Sequence, residues 1–364
     1  MKTFLKLSYF LFAAVIILSS CSDKNDPDLD PSELTKGAYV LNYGGYSQNT
    51  SSITMYDYEI DELKPFYYQL QNTGKKIGSA PQYIYEYKGR IYMMNNNPDR
   101  VLVTDLLFVA KDTITTDIEK PRFCVGNGDY LYISCLGNEF DYANGVPGSY
   151  IVKYNVATKT VEKKIALAGG PEGLAISNGK LYVALNYATK IAVINLETEA
   201  TSYIMTQSVS SYFVQDEINN LYVTLTDSYS NPSNETGLGY INTNTDDLIL
   251  FALDNVSTSY ASIMALSKDY SKLYVIAAAY DANWDIIGGV QVFNTSTKTF
   301  EPNTLVSGIN GINGVSVNPV DGNIYVFVSN GTTTNGSMMI YSATGNLEST
   351  KQVGAAPALA IFLD

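Results

Sequence analysis

Residues 170–196, GPEGLAISNGKLYVALNYATKIAVINL, decide the fold. Three short strands are legible in them: an inner strand over Leu174–Ser177, a second over Leu181–Leu185 and a third over Ile191–Asn195. Asn178-Gly179, between the first two, is the dipeptide that suits a two-residue type I′ hairpin turn. Apolar side chains fall on both faces of these strands, the pattern of a sheet sandwiched between two others.

Outward from this stretch the same unit recurs. Its mark is a Tyr between two aliphatic residues, Leu181-Tyr182-Val183 here and nearly the same at Tyr39, Tyr92, Tyr132, Tyr222, Tyr274 and Tyr325. Successive tyrosines are 53, 40, 50, 40, 52 and 51 residues apart, and a third strand follows each. Seven units of this length, of four strands each and without helical periodicity, predict an all-β, seven-bladed β-propeller. The first unit begins at its second strand, near Gly37, and has no inner strand before it. Ala356–Ile361 repeats the spacing of Gly170–Ala175, so the C-terminus is expected to supply that strand and remove an open edge.

Ahead of the propeller, expected over residues 37–364, stand two segments of another kind. Residues 1–20 read as a signal peptide, with Lys2 and Lys6 ahead of an apolar run over Leu7–Leu18 that is short for a membrane span. The run ends in Leu18-Ser19-Ser20-Cys21, which resembles a bacterial lipobox and implies lipidation at Cys21. Residues 21–36 are acidic and Pro-containing, a flexible tether from the lipid anchor.

Composition restricts function. Without Lys2 and Lys6, 21 basic face 36 acidic side chains, a net charge of −15 that argues against nucleic acid and anionic headgroups as partners. The chain contains no His, which removes Ser-His-Asp and Cys-His catalysis and His-ligated metal sites. A carboxylate pair could still cleave a glycoside, but most Asp and Glu lie at turns, where solvation accounts for them. Asp281-Ala282-Asn283-Trp284-Asp285 opens like a calcium loop yet lacks its Gly and distal Glu. No metal, no cofactor and no enzyme activity are expected. Cys124 and Cys135 fall two residues out of register on neighbouring strands, which favours two buried thiols over a disulfide. Asp112-Thr113-Ile114 fits a three-residue O-glycosylation pattern.

The blades differ from one another on one face. From each marker Tyr to its third strand the gaps are 14, 9, 19, 9, 17, 16 and 13 residues, whereas the opposite turns stay short. Variable loops therefore gather on a single face, as binding loops do on a rigid scaffold. They hold Tyr43, Tyr46, Asn96, Arg100, Tyr142, Tyr187, Tyr229, Tyr280 and Trp284. Rings beside Asn and Asp suit a ligand with flat or apolar faces and many polar groups. A second ring comes from the starts of the inner strands: Gln82, Arg122, Glu172, Tyr212 and Asn313 should surround the channel mouth on that face.

Gly-Pro-Glu-Gly-Leu-Ala-Ile (170–176), Gly-Lys-Leu-Tyr-Val-Ala (179–184) and Ile-Ala-Val-Ile-Asn (191–195) resemble the blades of YncE-like, surface-layer-type propellers. The start at Tyr39–Tyr46, after a lipobox and an acidic tether, is similar to the BtuG-type surface lipoproteins. That resemblance implies a lipoprotein of the outer membrane that captures a small nutrient, a cobamide first of all, and passes it to a TonB-dependent transporter. Blade motifs specify fold rather than ligand. A glycan for a polysaccharide-uptake system, or a protein partner, suits the same aromatic loops.

Overall fold

The computed structural model describes residues 34, 36–141, 148–228, 233, 235–254, 256, 263–283 and 285–364. The expected signal, Cys21 and most of the tether lie outside them.

Seven antiparallel sheets make the ring of a β-propeller. In blade four the strands run Pro171–Ser177, Lys180–Leu185, Lys190–Asn195 and Thr201–Met205 from the inside out. Asn178 and Gly179 adopt φ of 47° and 72°, the two left-handed angles the hairpin turn needs. Tyr182 pairs with Ala175 on one side and Val193 on the other. The ring closes as the C-terminal repeat predicts. Pro357–Leu363 pairs antiparallel with Gly37–Asn42, Ala360 opposite Val40, and becomes the inner strand of blade one.

The hydrophobic core is divided among the seven interfaces between neighbouring blades. Tyr182, Ala184 and Val193 of blade four meet Phe213, Val223 and Leu225 of blade five, and the other six contacts repeat the arrangement. All seven marker tyrosines are buried, none more than 4% exposed. A buried phenol needs a partner for its hydroxyl, and in two of these tyrosines the neighbouring blade provides it. The Tyr182 hydroxyl donates to Asp246 Oδ1 at 2.5 Å, in the outer turn of blade five. Tyr222 accepts from Lys298 Nζ at 2.6 Å, in the outer turn of blade six, and Tyr39 stacks on Phe108 in that of blade two. Each of these tyrosines fastens one blade to the next.

Ring closure leaves little room between inner strands. A Cβ on Gly314 would stand 1.6 Å from the Ala358 carbonyl oxygen, so only glycine lets blade seven approach the closing strand. Cys124 lies opposite Ile133 and Cys135 opposite Pro121, and both are buried free thiols, as the register predicts.

Three features depart from the repeat. In blade six the long gap after Tyr274 is filled by strand: Lys272–Tyr280 and Ile286–Asn294 form a nine-residue hairpin with a tip of only residues 281–285. Apolar Ile276–Ala279 and Ile286-Ile287 continue the ladder where a loop was expected. A fifth strand, Val306–Asn310, pairs along its upper part. In blade two, Asn95, Asn96 and Asn97 end the second strand and Arg100 sits on the third, so these too are strand residues. Blade one has an outer strand of three residues, Glu62–Lys64, followed by the helix Tyr67–Gln71, against the expectation of strands alone. Tyr67 and Tyr68 of that helix are buried in the interface of blades one and two.

Candidate functional site

The site begins with a backbone device repeated at the entry to the blades. Ala80, Lys120, Gly170, Gly311 and Ala356 all have left-handed φ, between 48° and 77°. The strand that follows is bulged, so the next residue or two have no partner across the ladder. The skipped residues are Gln82 in blade two, Arg122 with Phe123 in three, Glu172 with Gly173 in four, Tyr212 with Ser211 in five, Asn313 in seven and Ala358 in one. A bulge re-aims side chains out of the pleat. Gln82, Arg122, Glu172, Tyr212 and Asn313 among them are the residues that the sequence places at the channel mouth.

A cavity of about 940 Å³ opens there, near the upper limit of small-molecule sites. Gln82, Arg122, Glu172 and Asn313 line it from the inner strands, and Tyr43, Tyr46, Asn96, Asn186, Tyr187 and Tyr280 from the elaborated face. Six of the seven blades contribute.

One charged group dominates the interior. Arg122 Nε donates to both carboxylate oxygens of Glu172 at 2.9 Å, and its Nη1 donates to Gln82 Oε1. Glu172 is only 4% exposed. Burial pushes its carboxyl above the usual range while the Arg122 charge opposes that rise. Gln82 Nε2 donates to the Ala80 carbonyl at 2.8 Å, and Asn313 Nδ2 donates to that of Pro357 at 2.7 Å. The polar set is therefore held in place by the chain itself.

The rim is braced as well. The Tyr43 hydroxyl donates to the Gln82 carbonyl at 3.1 Å, and Asn97 Nδ2 to that of Tyr46 at 2.9 Å. Thr50 of blade one donates to the Thr332 carbonyl of blade seven at 2.8 Å. Tyr187 packs edge-on against Phe140 at 4.9 Å. Gly170 is required here, since a Cβ would lie 2.6 Å from the Tyr187 ring. Tyr46 and Tyr280 are the more exposed rings of the rim, at 64% and 39%. The Asp281 carboxylate accepts the backbone N–H groups of Asn283 and Asp285, at 2.8 and 2.9 Å, and so closes the tip of the blade-six hairpin. Among the described residues no three Cys, Asp or Glu side chains are placed to hold a metal ion.

Of the sequence-predicted residues, Tyr43, Tyr46, Gln82, Asn96 and Arg122 meet at this cavity with Glu172, Tyr187, Tyr280 and Asn313. Arg100 does not: its guanidinium donates to the carbonyls of Lys76 and Ile77 and fixes that segment. Tyr212 lies with Tyr83 and Phe123 in an aromatic group on the inner strands, 5.7 Å from Phe123, and does not line the cavity. Tyr142, Tyr229 and Trp284 lie outside the described residues. The sequence reading missed Asn310, Gly311 and Ser329–Thr332, which complete the wall at blades six and seven. Gly311 and Gly331, which the structure places at positive φ, were the only mark of this turn in the sequence.

Solved structures share the fold. A quinoprotein alcohol dehydrogenase-like protein from Bacteroides thetaiotaomicron is 16% identical with a TM-score of 0.67, over 90% of this chain and 78% of that one. Proteins provisionally assigned as 6-phosphogluconolactonases are similar too. That of Bacteroides fragilis is 15% identical (TM-score 0.64, 92% and 100% covered) and that of Bacteroides uniformis 13% (0.61, 90% and 100%). At such identities the likeness is one of fold. No functionally curated protein matches the sequence. Residues 36–363 match the family described as "Domain of unknown function (DUF5074)", and the chain belongs to that family.

Proposed function

We propose that this propeller is a non-enzymatic surface lipoprotein that captures a nutrient in the channel-mouth cavity and passes it to a TonB-dependent transporter of the outer membrane. The observation that carries this reading is the cavity itself: a braced interior that mixes polar and apolar groups under a rim of tyrosines, built by six blades. Rigid blades hold the rim before a ligand arrives, which lowers the ordering cost that weakens loop-borne sites. Its two carboxylates are not arranged as an acid–base pair. Glu172 is engaged by Arg122, and Asp285 sits exposed on the hairpin tip. The enzyme names of the neighbours belong to those proteins.

A cobamide is the first candidate, on the strength of the resemblance of Tyr39–Tyr46 to BtuG-type propellers, and its flat ring with amide side chains suits tyrosines beside asparagines. A neutral glycan is the second, favoured by Asn96, Asn186, Asn310, Asn313 and Asn330 around the cavity. Calorimetry of the purified protein with cyanocobalamin and with a panel of neutral oligosaccharides separates them. Heat with cyanocobalamin alone supports vitamin capture, and heat with an oligosaccharide alone replaces it by glycan capture. Silence with both removes the nutrient reading in favour of a protein partner. Location is tested apart: a Cys21→Ala chain should be released in soluble form, and protease shaving of intact cells should degrade the native one. A protected protein would contradict surface exposure.

A further inference from the structure

The cavity contains a cation that it does not offer as a free charge. Among the described lining residues Arg122 is the single Lys or Arg, and Glu172 and Asp285 are the acidic ones. Arg122 is engaged twice, by Glu172 through Nε and by Gln82 through Nη1. Both ends of the ion pair are largely withdrawn from water, with side-chain exposures of 19% and 5%. A guanidinium facing solvent in a cleft attracts carboxylate and phosphate. One whose charge is matched at 2.9 Å by a buried carboxylate no longer does, because the pair carries no net charge. With Asp285 on the rim and an acidic protein around it, the cavity then disfavours anions.

We propose that Glu172 is a specificity-determining residue: by neutralising Arg122 it restricts the cavity to ligands without net negative charge and rejects acidic ones. This rests on the capture reading for the identity of the site and narrows its ligand class to uncharged, hydroxyl- or amide-rich molecules. Rejection of wrong partners by an unfavourable charge is a common source of selectivity.

The test uses two anionic probes, inorganic phosphate and tri-galacturonic acid, titrated into wild type, Glu172→Gln and the double variant Glu172→Gln/Arg122→Gln. Gln keeps the shape of Glu and leaves Arg122 charged. Wild type should bind neither probe at millimolar concentration. Glu172→Gln should gain affinity for at least one of them by tenfold or more, and the double variant should lose that gain. Glu172→Ala, which also removes the negative charge, provides a second route if Glu172→Gln does not fold, with a gain of the same sign expected. Anion binding by wild type, or no gain in a folded Glu172 variant, overturns the proposal. The outcome is independent of the nutrient's identity. If Glu172→Gln gains anions while wild type ignores every nutrient tried, the charge filter stands and the capture reading falls.

Discussion

Ala80 and Ala356 illustrate how single residues shape this site. Each takes a left-handed φ, 51° and 49°, that an L-residue adopts at a cost of about 1–2 kcal/mol. Gly170 takes the same place in blade four without that cost. Ala80→Gly should therefore stabilise the protein by up to about 1 kcal/mol, after the greater chain entropy of glycine is counted. Gly170→Ala should destabilise it by about 1–3 kcal/mol, because φ of 67° and the Tyr187 ring both oppose a Cβ. Urea melts of the two variants check both signs. The ring at the channel mouth was legible because Pro81, Pro121, Pro171 and Pro357 mark the bulged entries. The Ser329–Thr332 wall was not, because it has no aromatic residue and its role depends on the neighbouring hairpin. Arg100 misled for the opposite reason. A charged residue near a loop reads as a binding group, yet Nη2 of Arg100 donates to two backbone carbonyls away from the cavity.

At the scale of strands, the marker tyrosines carried the fold in the sequence, and Tyr39, Tyr182 and Tyr222 each link one blade to the next. Tyr182 loses its bond to Asp246 in Tyr182→Phe, a charge-assisted hydrogen bond of the kind that contributes about 1.5–3 kcal/mol. Thermal unfolding should show that loss, and an unchanged melting temperature would deny the fastening role. Deleting residues 356–364 should remove the closing strand, expose the Gly37–Asn42 edge and cause aggregation or a large fall in melting temperature. A truncated chain that melts like the parent would place closure elsewhere. The blade-six hairpin was hidden from sequence reading because its extension keeps the apolar character of the strand it prolongs. Counting residues after Tyr274 reports an insertion and not its conformation.

For the whole molecule, burial of phenols across all blades, with two thiols in blade three, sets an alkaline limit. Burial pushes Tyr85, Tyr274 and Cys135 up to about 12 and raises Tyr39, Tyr182 and Cys124 as well. The neutral form is favoured in the folded chain, so this contribution is complete below the unfolded values of about 8.5 for Cys and 10 for Tyr. It is lost as pH climbs from there towards the folded values. Guanidinium midpoints should hold up to about pH 8 and fall steadily above it, with most tyrosinate absorbance appearing only on unfolding. Iodoacetamide should spare Cys124 and Cys135 until then.

Binding is proposed to fall on one face of the one ring. Hydrogen–deuterium exchange tests this most directly, measured with and without whichever of cyanocobalamin or a neutral oligosaccharide gives heat. Slower exchange is predicted at residues 43–51, 186–189, 280–286 and 329–332, the segments around the cavity, with the outer strands unchanged. Protection confined to the short-turn face, or to outer strands such as Thr201–Met205, would contradict it.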